Sequence, residues 1–296
     1  MPDREARCFQ KENDMTNTAA ALRVVMPAAS ATSSASTGSR AIGVHQVTKS
    51  FKSASGVVRA LDEVSVDIRA GEFVSVVGPS GCGKSTLMSL IAGLKQPSGG
   101  EIRIGDTRVS GPYTDVGIVF QRDLLMEWRT TLENVLLQID MRGLRRKDYT
   151  DRAMQLLSKV GLADFADKYP RELSGGMRQR ASICRALIHD PPVLLMDEPF
   201  GALDALTRDD IAADLTQLCE QTGKTVVFIT HSIAESVFLS DRVLVMSPRP
   251  GRILEDIRID LPRPRRIETR DTVVFTDYMH RIRTLLTGAG GTRTTL

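Results

Sequence analysis

Hydrophobic residues in this chain gather in short, nearly continuous runs, set apart by longer stretches with helical spacing. Glu72-Phe-Val-Ser-Val-Val77 is one such run, rich in β-branched side chains and closed by Gly78, which predicts a strand buried on both faces. Sequence suited to a helix follows over residues 84–92. Residues 116–120, 193–196, 225–229 and 243–246 repeat the short pattern, with helical segments between several of them. That alternation predicts a mainly parallel α/β sheet.

Ahead of this core, polar and apolar residues alternate in Gly43-Val-His-Gln-Val-Thr48, then in Val57-Val58 and Val64-Ser-Val-Asp-Ile68, and predict a small antiparallel sheet. Residues 129–190 carry helical patterns over 132–141, 148–160 and 176–188, so a helical subdomain inserted at about 122–190 is expected. Beyond Met246 come a Pro/Gly turn, an edge strand over 253–259 stopped by Pro262 and Pro264, and a helix over 277–286. The run Ala28 to Ser39 is nearly devoid of large apolar side chains. Residues 1–40 are therefore expected to be a flexible tail, 41–252 the principal domain and 253–296 a basic extension.

Composition narrows the function classes. Against 39 Lys and Arg stand 36 Asp and Glu in 296 residues, a net charge of +3, too slight for a dedicated nucleic-acid binder. Hydrophobic residues make up 42% and charged residues 25%, as in an ordinary globular protein. Charges or Pro interrupt every apolar run well short of the ~18 to 20 residues a bilayer span requires, and the mixed charges near the N-terminus make a poor signal peptide. Cys8, Cys82, Cys184 and Cys219 form no CxxC pair, so reduced thiols are expected.

Chemistry enters with Gly78-Pro79-Ser80-Gly81-Cys82-Gly83-Lys84-Ser85-Thr86, which fits GxxxxGK[ST] between a predicted strand and a predicted helix. Glycines there let backbone N–H groups turn inward on phosphates, Lys84 reaches the β/γ-phosphates, and Ser85 can hold Mg²⁺. A second buried run ends in Asp197-Glu198, placing two carboxylates at the C-terminal end of a strand, where open α/β sheets bind ligands. Asp197 suits a place in the Mg²⁺ shell, and Glu198 suits polarisation of an attacking water. Leu173-Ser174-Gly175-Gly176-Met177-Arg-Gln-Arg180 opens a helix whose free N–H groups can receive an anion, although Ser174 alone would read as an ordinary N-cap.

Taken in order, the phosphate loop, Gln121 after a strand, Leu-Ser-Gly-Gly, Asp197-Glu198, Leu203-Asp204 and His231 make the region from Ile42 to Arg252 resemble the ATP-binding-cassette ATPases. The resemblance implies a P-loop NTPase fold of RecA-like type, with an N-terminal antiparallel region and an inserted helical subdomain. It also implies ATP and Mg²⁺ in a composite site of a homodimer. Phe51 would stack on adenine. Gln121 would link Mg²⁺ and the attacking water to the helical subdomain. Ser174, Gly175 and Gly176 would meet the γ-phosphate held by the opposite subunit, Asp204 would lie at the dimer contact, and His231 would contact the γ-phosphate. Read without the resemblance, Phe51 is equally a core aromatic and His231 a structural one.

Trp128-Arg-Thr-Thr-Leu-Glu-Asn-Val135, Met246-Ser-Pro-Arg-Pro-Gly-Arg-Ile253 and Leu261-Pro-Arg-Pro-Arg265 resemble the nitrate/sulfonate/taurine branch of bacterial importers. Two positions depart from the pattern: Met177 stands where the family most often has Gln, and Met126-Glu127 where the branch has Pro before the Trp. The implied partners are two transmembrane permease subunits and, indirectly, a solute-binding protein, at the cytoplasmic face of the inner membrane. The competing reading is a soluble ABC ATPase of translation or DNA repair. Two further choices stay open: Trp128 as an interface or a buried residue, and Arg249, Arg252, Arg258, Arg263, Arg265, Arg266 and Arg270 as a solvated surface or a lipid-attracting patch.

Overall fold

The computed structural model describes residues 40–288, apart from 54–55, 202, 205–207, 210, 214, 217–218 and 220–222. The tail expected over residues 1–40 lies outside the described residues except for Arg40.

Two sheets carry the fold. The first pairs β1 (Ile42–Ser53) antiparallel with β2 (Gly56–Ile68) on one side and β4 (Gly99–Ile104) on the other, with short β5 (Thr107–Arg108) at the edge. β2 is one continuous strand rather than the two pieces its sequence suggests, and its C-terminal half alternates buried and exposed residues. β4 has no counterpart among the predicted elements. Its two opening glycines, Gly100 with φ +78°, obscure the alternation that buries Ile102 and Ile104.

The second sheet has the order β10-β9-β3-β8-β7-β6, formed by β10 (Ile253–Arg258), β9 (Arg242–Met246), β3 (Phe73–Val77), β8 (Thr225–Ile229), β7 (Val193–Asp197) and β6 (Val116–Val119). All pairings are parallel except β10 with β9. Successive β3 residues feed opposite cores. Val74 and Val76 pack toward the first sheet and α1 (Lys84–Ile91), whereas Phe73 and Val77 join the cluster on the far face. That division explains why the strand reads as a continuous apolar run.

Between β6 and β7, the named helices α2 (Thr131–Val135), α3 (Leu137–Met141), α4 (Thr150–Lys159) and α5 (Gly175–Leu187) enclose their own cluster, including Val135, Ile139, Leu157 and Ala181. The single helix expected over 132–141 is interrupted at Leu136. α6 (Ile233–Leu239) follows β8, and α7 (Val273–Gly288) runs longer than predicted.

Residues 253–288 belong to this core. β10 extends the main sheet, and Phe275 and Ile282 of α7 are buried in the far-face cluster. Part of the basic stretch is occupied internally. Buried Arg265 donates to Val237 O, Phe238 O and Ser240 O at the C-terminal end of α6, while Arg263 pairs with Asp241 and Arg270 with Asp209. Arg252 pairs with Asp62 and Arg258 with Asp260. Arg263, Arg265 and Arg270 are thereby taken up by the fold, whereas Arg252 and Arg258 stay largely exposed beside their partners.

Candidate active site

Parallel pairing brings the C-terminal ends of β3, β6, β7 and β8 to one edge of the sheet, so the loops that leave them meet there. After β3 the chain turns through Gly81 (φ +73°) and Gly83 (φ +115°) into α1. A Cβ on Gly83 would stand 2.7 Å from Leu61 Cδ2 and 3.0 Å from Ala60 O, so a side chain at this position would displace the β2 backbone. No side chain caps α1 and its first turn holds no acid. Its N–H groups and partial positive charge are thus available to an anion. Lys84, 7% exposed, donates to Gly78 O at 2.8 Å and Pro79 O at 3.0 Å, curled over its own loop.

An open cavity of about 360 Å³ fronts this loop, lined by Phe51, Ser80, Gly81, Gly83, Lys84, Ser85, Thr86, Gln121 and Glu198, with Val58, Ala60 and Arg249. Phe51 lies at the rim with the ammonium groups of Lys49 and Lys95 about 5 Å from its ring. Gly78, Pro79 and Cys82 complete the loop without lining the cavity. Cys82 is buried, and burial raises its thiol pKa above the usual value.

The acidic pair separates by environment. Asp197 ends β7 in a buried position, where desolvation raises its carboxyl pKa, Ser85 opposes the rise by hydrogen bonding, and neighbouring Glu198 adds to it. A buried carboxylate beside a hydroxyl, with the Gln121 carboxamide on the adjoining cavity wall, is a hard-oxygen donor set of the kind Mg²⁺ takes. Glu198 adopts φ +46°, a left-handed backbone that non-glycine residues rarely occupy. Its N–H donates to Ile229 O at 2.8 Å, tying the bend to the end of β8.

Two residues converge on this carboxylate. Gln121 Nε2 donates to Glu198 Oε2 at 3.2 Å, and His231 Nδ1 lies 3.1 Å from the same oxygen. His231 is placed by the turn into α6: Ser232 N–H donates to Thr230 Oγ1, Thr230 Oγ1 donates to Glu235 Oε2, and Ser232 Oγ caps Glu235 N–H.

Ser174, Gly175 and Gly176 do not line this cavity. Ser174 is the N-cap of α5, its hydroxyl accepting from Met177 N–H at 3.2 Å, so the ordinary capping role is present. Farther along α5, Gln179 donates to Phe120 O, Arg178 pairs with Asp123, and Arg185 donates to Asp123 O and Leu124 O. The helix thereby grips the segment that carries Gln121. Asp204 lies apart from the cavity, and its carbonyl accepts from Arg208 N–H as a helical turn begins.

The family model for ABC transporters matches residues 61–201. An uncharacterized ABC transporter ATP-binding protein of Methanocaldococcus jannaschii is 44% identical over 243 residues, which cover 82% of this chain and 90% of that one. The chain belongs to the ABC transporter family. The taurine import ATP-binding protein TauB of Rhizobium johnstonii is 50% identical over 214 residues, 72% of this chain and 81% of that protein. A dimeric ATP-binding cassette solved in a post-hydrolysis state with ADP and Pi superposes with a TM-score of 0.69 at 34% identity, covering 75% of this chain and all of that one. The fold is that of a P-loop NTPase cassette, and this member of the family is an ATPase that binds adenine nucleotide.

Arg249, Val58 and Ala60 were not singled out as site residues by the sequence. Arg249 reaches the phosphate loop from the β9–β10 connection, with Nε and Nη2 3.2 and 3.0 Å from Gly81 O. A contact across 168 positions leaves no local signal.

Proposed function

We propose that this ATPase works as a homodimer with two composite MgATP sites, powering uptake of a small solute such as taurine, another sulfonate or nitrate. The observation that carries the catalytic reading is the convergence of Gln121 and His231 on Glu198 at the mouth of the phosphate-loop cavity. Both contacts fall on Oε2, which leaves Oε1 to accept a proton from a water aimed at the γ-phosphate. Gln121 and His231 hold the carboxylate in that orientation, and His231 is placed to contact the γ-phosphate. Ser80 to Thr86 cradle the phosphates with backbone N–H groups, and Lys84 exchanges its loop carbonyls for the β/γ-oxygens.

Ser85, Asp197 and Gln121 would hold Mg²⁺, which when bound neutralises charge on the phosphate oxygens. Phe51 offers a face to adenine. Ser174, Gly175 and Gly176, away from this chain's own cavity, are placed to close the site of a second copy, with Asp204 at the contact.

Import is supported by the names of the taurine-import relatives and by an exposed aromatic seven residues after Gln121. Trp128 is 74% exposed and Leu124 49%, on the segment gripped by α5. Exposure of that size removes the reading of Trp128 as a buried core residue and suits a docking anchor for the two permease subunits. The dimer would then sit peripherally at the cytoplasmic face of the inner membrane, beneath a permease served by a solute-binding protein. No helix among the described residues is long and apolar enough to cross a membrane. Replacing Trp128 by Ala tests the docking: the variant should bind ATP as the wild type does and co-purify poorly with the permease. Co-purification at the wild-type level would remove Trp128 from the interface.

A further inference from the structure

The loop Ser247-Pro-Arg-Pro-Gly-Arg252 lies beyond the family match at 61–201 and is pressed against the phosphate loop. Gly251 N–H donates to Ala60 O at 2.9 Å, and Gly251 O accepts from Asp62 N–H at 3.0 Å. A Cβ on Gly251 would fall 2.2 Å from Cys82 O, so the two loops are in direct backbone contact. Ser247 closes the loop internally, its N–H donating to Arg252 O at 2.9 Å and its hydroxyl to Pro250 O at 3.1 Å, while Arg252 pairs with buried Asp62.

This framework sets Arg249 at the cavity rim. Nε and Nη2 both donate to Gly81 O, so one carbonyl oxygen takes a two-point hold from a cation. In a trans peptide the C=O and the following N–H point in opposite directions. Holding Gly81 O toward Arg249 therefore fixes the direction of the Cys82 N–H, whose bond to Pro79 O is a long 3.3 Å. Lys84 and Arg249 are the two cations among the lining residues.

We propose that Arg249 is a positioning residue for nucleotide: it presets the Gly81–Cys82 peptide plane for phosphate and adds a second positive charge beside Lys84. The inference rests on the MgATP reading of this cavity. It predicts a loss that grows with phosphate number and depends on charge, because adenine contacts are untouched.

Full-length wild type, Arg249→Ala, Arg249→Gln, Arg249→Lys and a Lys84→Ala control are to be compared by competition of ATP, ADP and AMP against a fluorescent ATP analogue, with melting curves for each. Arg249→Ala should weaken ATP by about tenfold and AMP by less than about twofold, the scale of one lost charge-assisted contact. Arg249→Lys should recover most of the ATP affinity, and Arg249→Gln should recover less. ATP affinity of Arg249→Ala within about twofold of wild type would overturn the proposal. So would an equal loss for ATP and AMP, or full recovery by Arg249→Gln, which keeps a donor without charge. If Arg249→Ala melts early, the Gln and Lys variants decide the charge question. Wild type indistinguishable from Lys84→Ala would overturn the MgATP reading itself, a failure separate from that of Arg249.

Discussion

Asn134 is fully buried in α2 and serves the loop before it with four hydrogen bonds. Its Oδ1 accepts from Met126 N–H at 2.7 Å, and its Nδ2 donates to Met126 O, Arg129 O and Thr130 O at 3.0 to 3.1 Å. Asn134→Ala removes all four and leaves a void beneath the turn that presents Trp128. The two Nδ2 hydrogens are shared among three carbonyls, so at ~0.5 to 1.5 kcal/mol net per bond the equivalent of three full bonds spans ~1.5 to 4.5 kcal/mol. The served segment is half-exposed and water can satisfy part of it, so about 2 to 4 kcal/mol is expected. Asn134→Asp should cost at least as much, because a carboxylate faces three carbonyl oxygens it cannot bond.

Trp128 is the sole tryptophan in the chain, so its fluorescence reports this loop directly. Urea unfolding gives the stability change, and steady-state anisotropy and acrylamide quenching give the local one. Asn134→Ala should lower anisotropy and raise quenching while the protein is still folded. A loss below about 1 kcal/mol with unchanged anisotropy would refute the claim that Asn134 holds the loop.

Other outcomes follow from buried charge. Arg265→Met should lower stability by about 2 to 4 kcal/mol in thermal or urea unfolding, since it strips the donor from three carbonyls at the end of α6; a change under about 1 kcal/mol would contradict that role. His189 is lowered to about 4, chiefly by burial and further by Arg142, Lys224 and Arg152. The unfolded chain thus takes up this proton at a higher pH than the folded one, so the group leaves stability untouched above about pH 6.5 and costs stability as pH falls from there toward 4. His189→Gln should consequently lose less stability than wild type over that interval, and parallel pH profiles would show that His189 is not the titrating group.

Much of the fold was legible because its signals are local. The phosphate loop is contiguous, and the strands flanking it are buried on both faces, so their apolar runs needed no long-range knowledge. Asp197 and Glu198 were equally visible at the end of such a run, although the positive φ of Glu198 was not. Where the reading stopped, the determinant lay far away in sequence. Arg265 follows Pro264 in a basic stretch that reads as surface, and it is buried because its acceptors come from residues 237, 238 and 240. Trp128 could be core or surface until the Asn134 contacts fixed the loop outward. Arg249 reaches Gly81 only through the pairing of two distant loops. That β10 extends the main sheet is hidden for a related reason: it needs β9 as its partner, and pairing cannot be seen in either strand alone.

Sedimentation of Glu198→Gln with and without MgATP shows whether Glu198 is the base of a site completed by a second copy. The variant should bind MgATP, hydrolyse it ~10² times more slowly or worse, and shift from monomer to a long-lived dimer only when nucleotide is added. A monomer at micromolar protein and saturating MgATP, repeated in the presence of the permease subunits, would contradict the composite site, and wild-type turnover would remove Glu198 as the base.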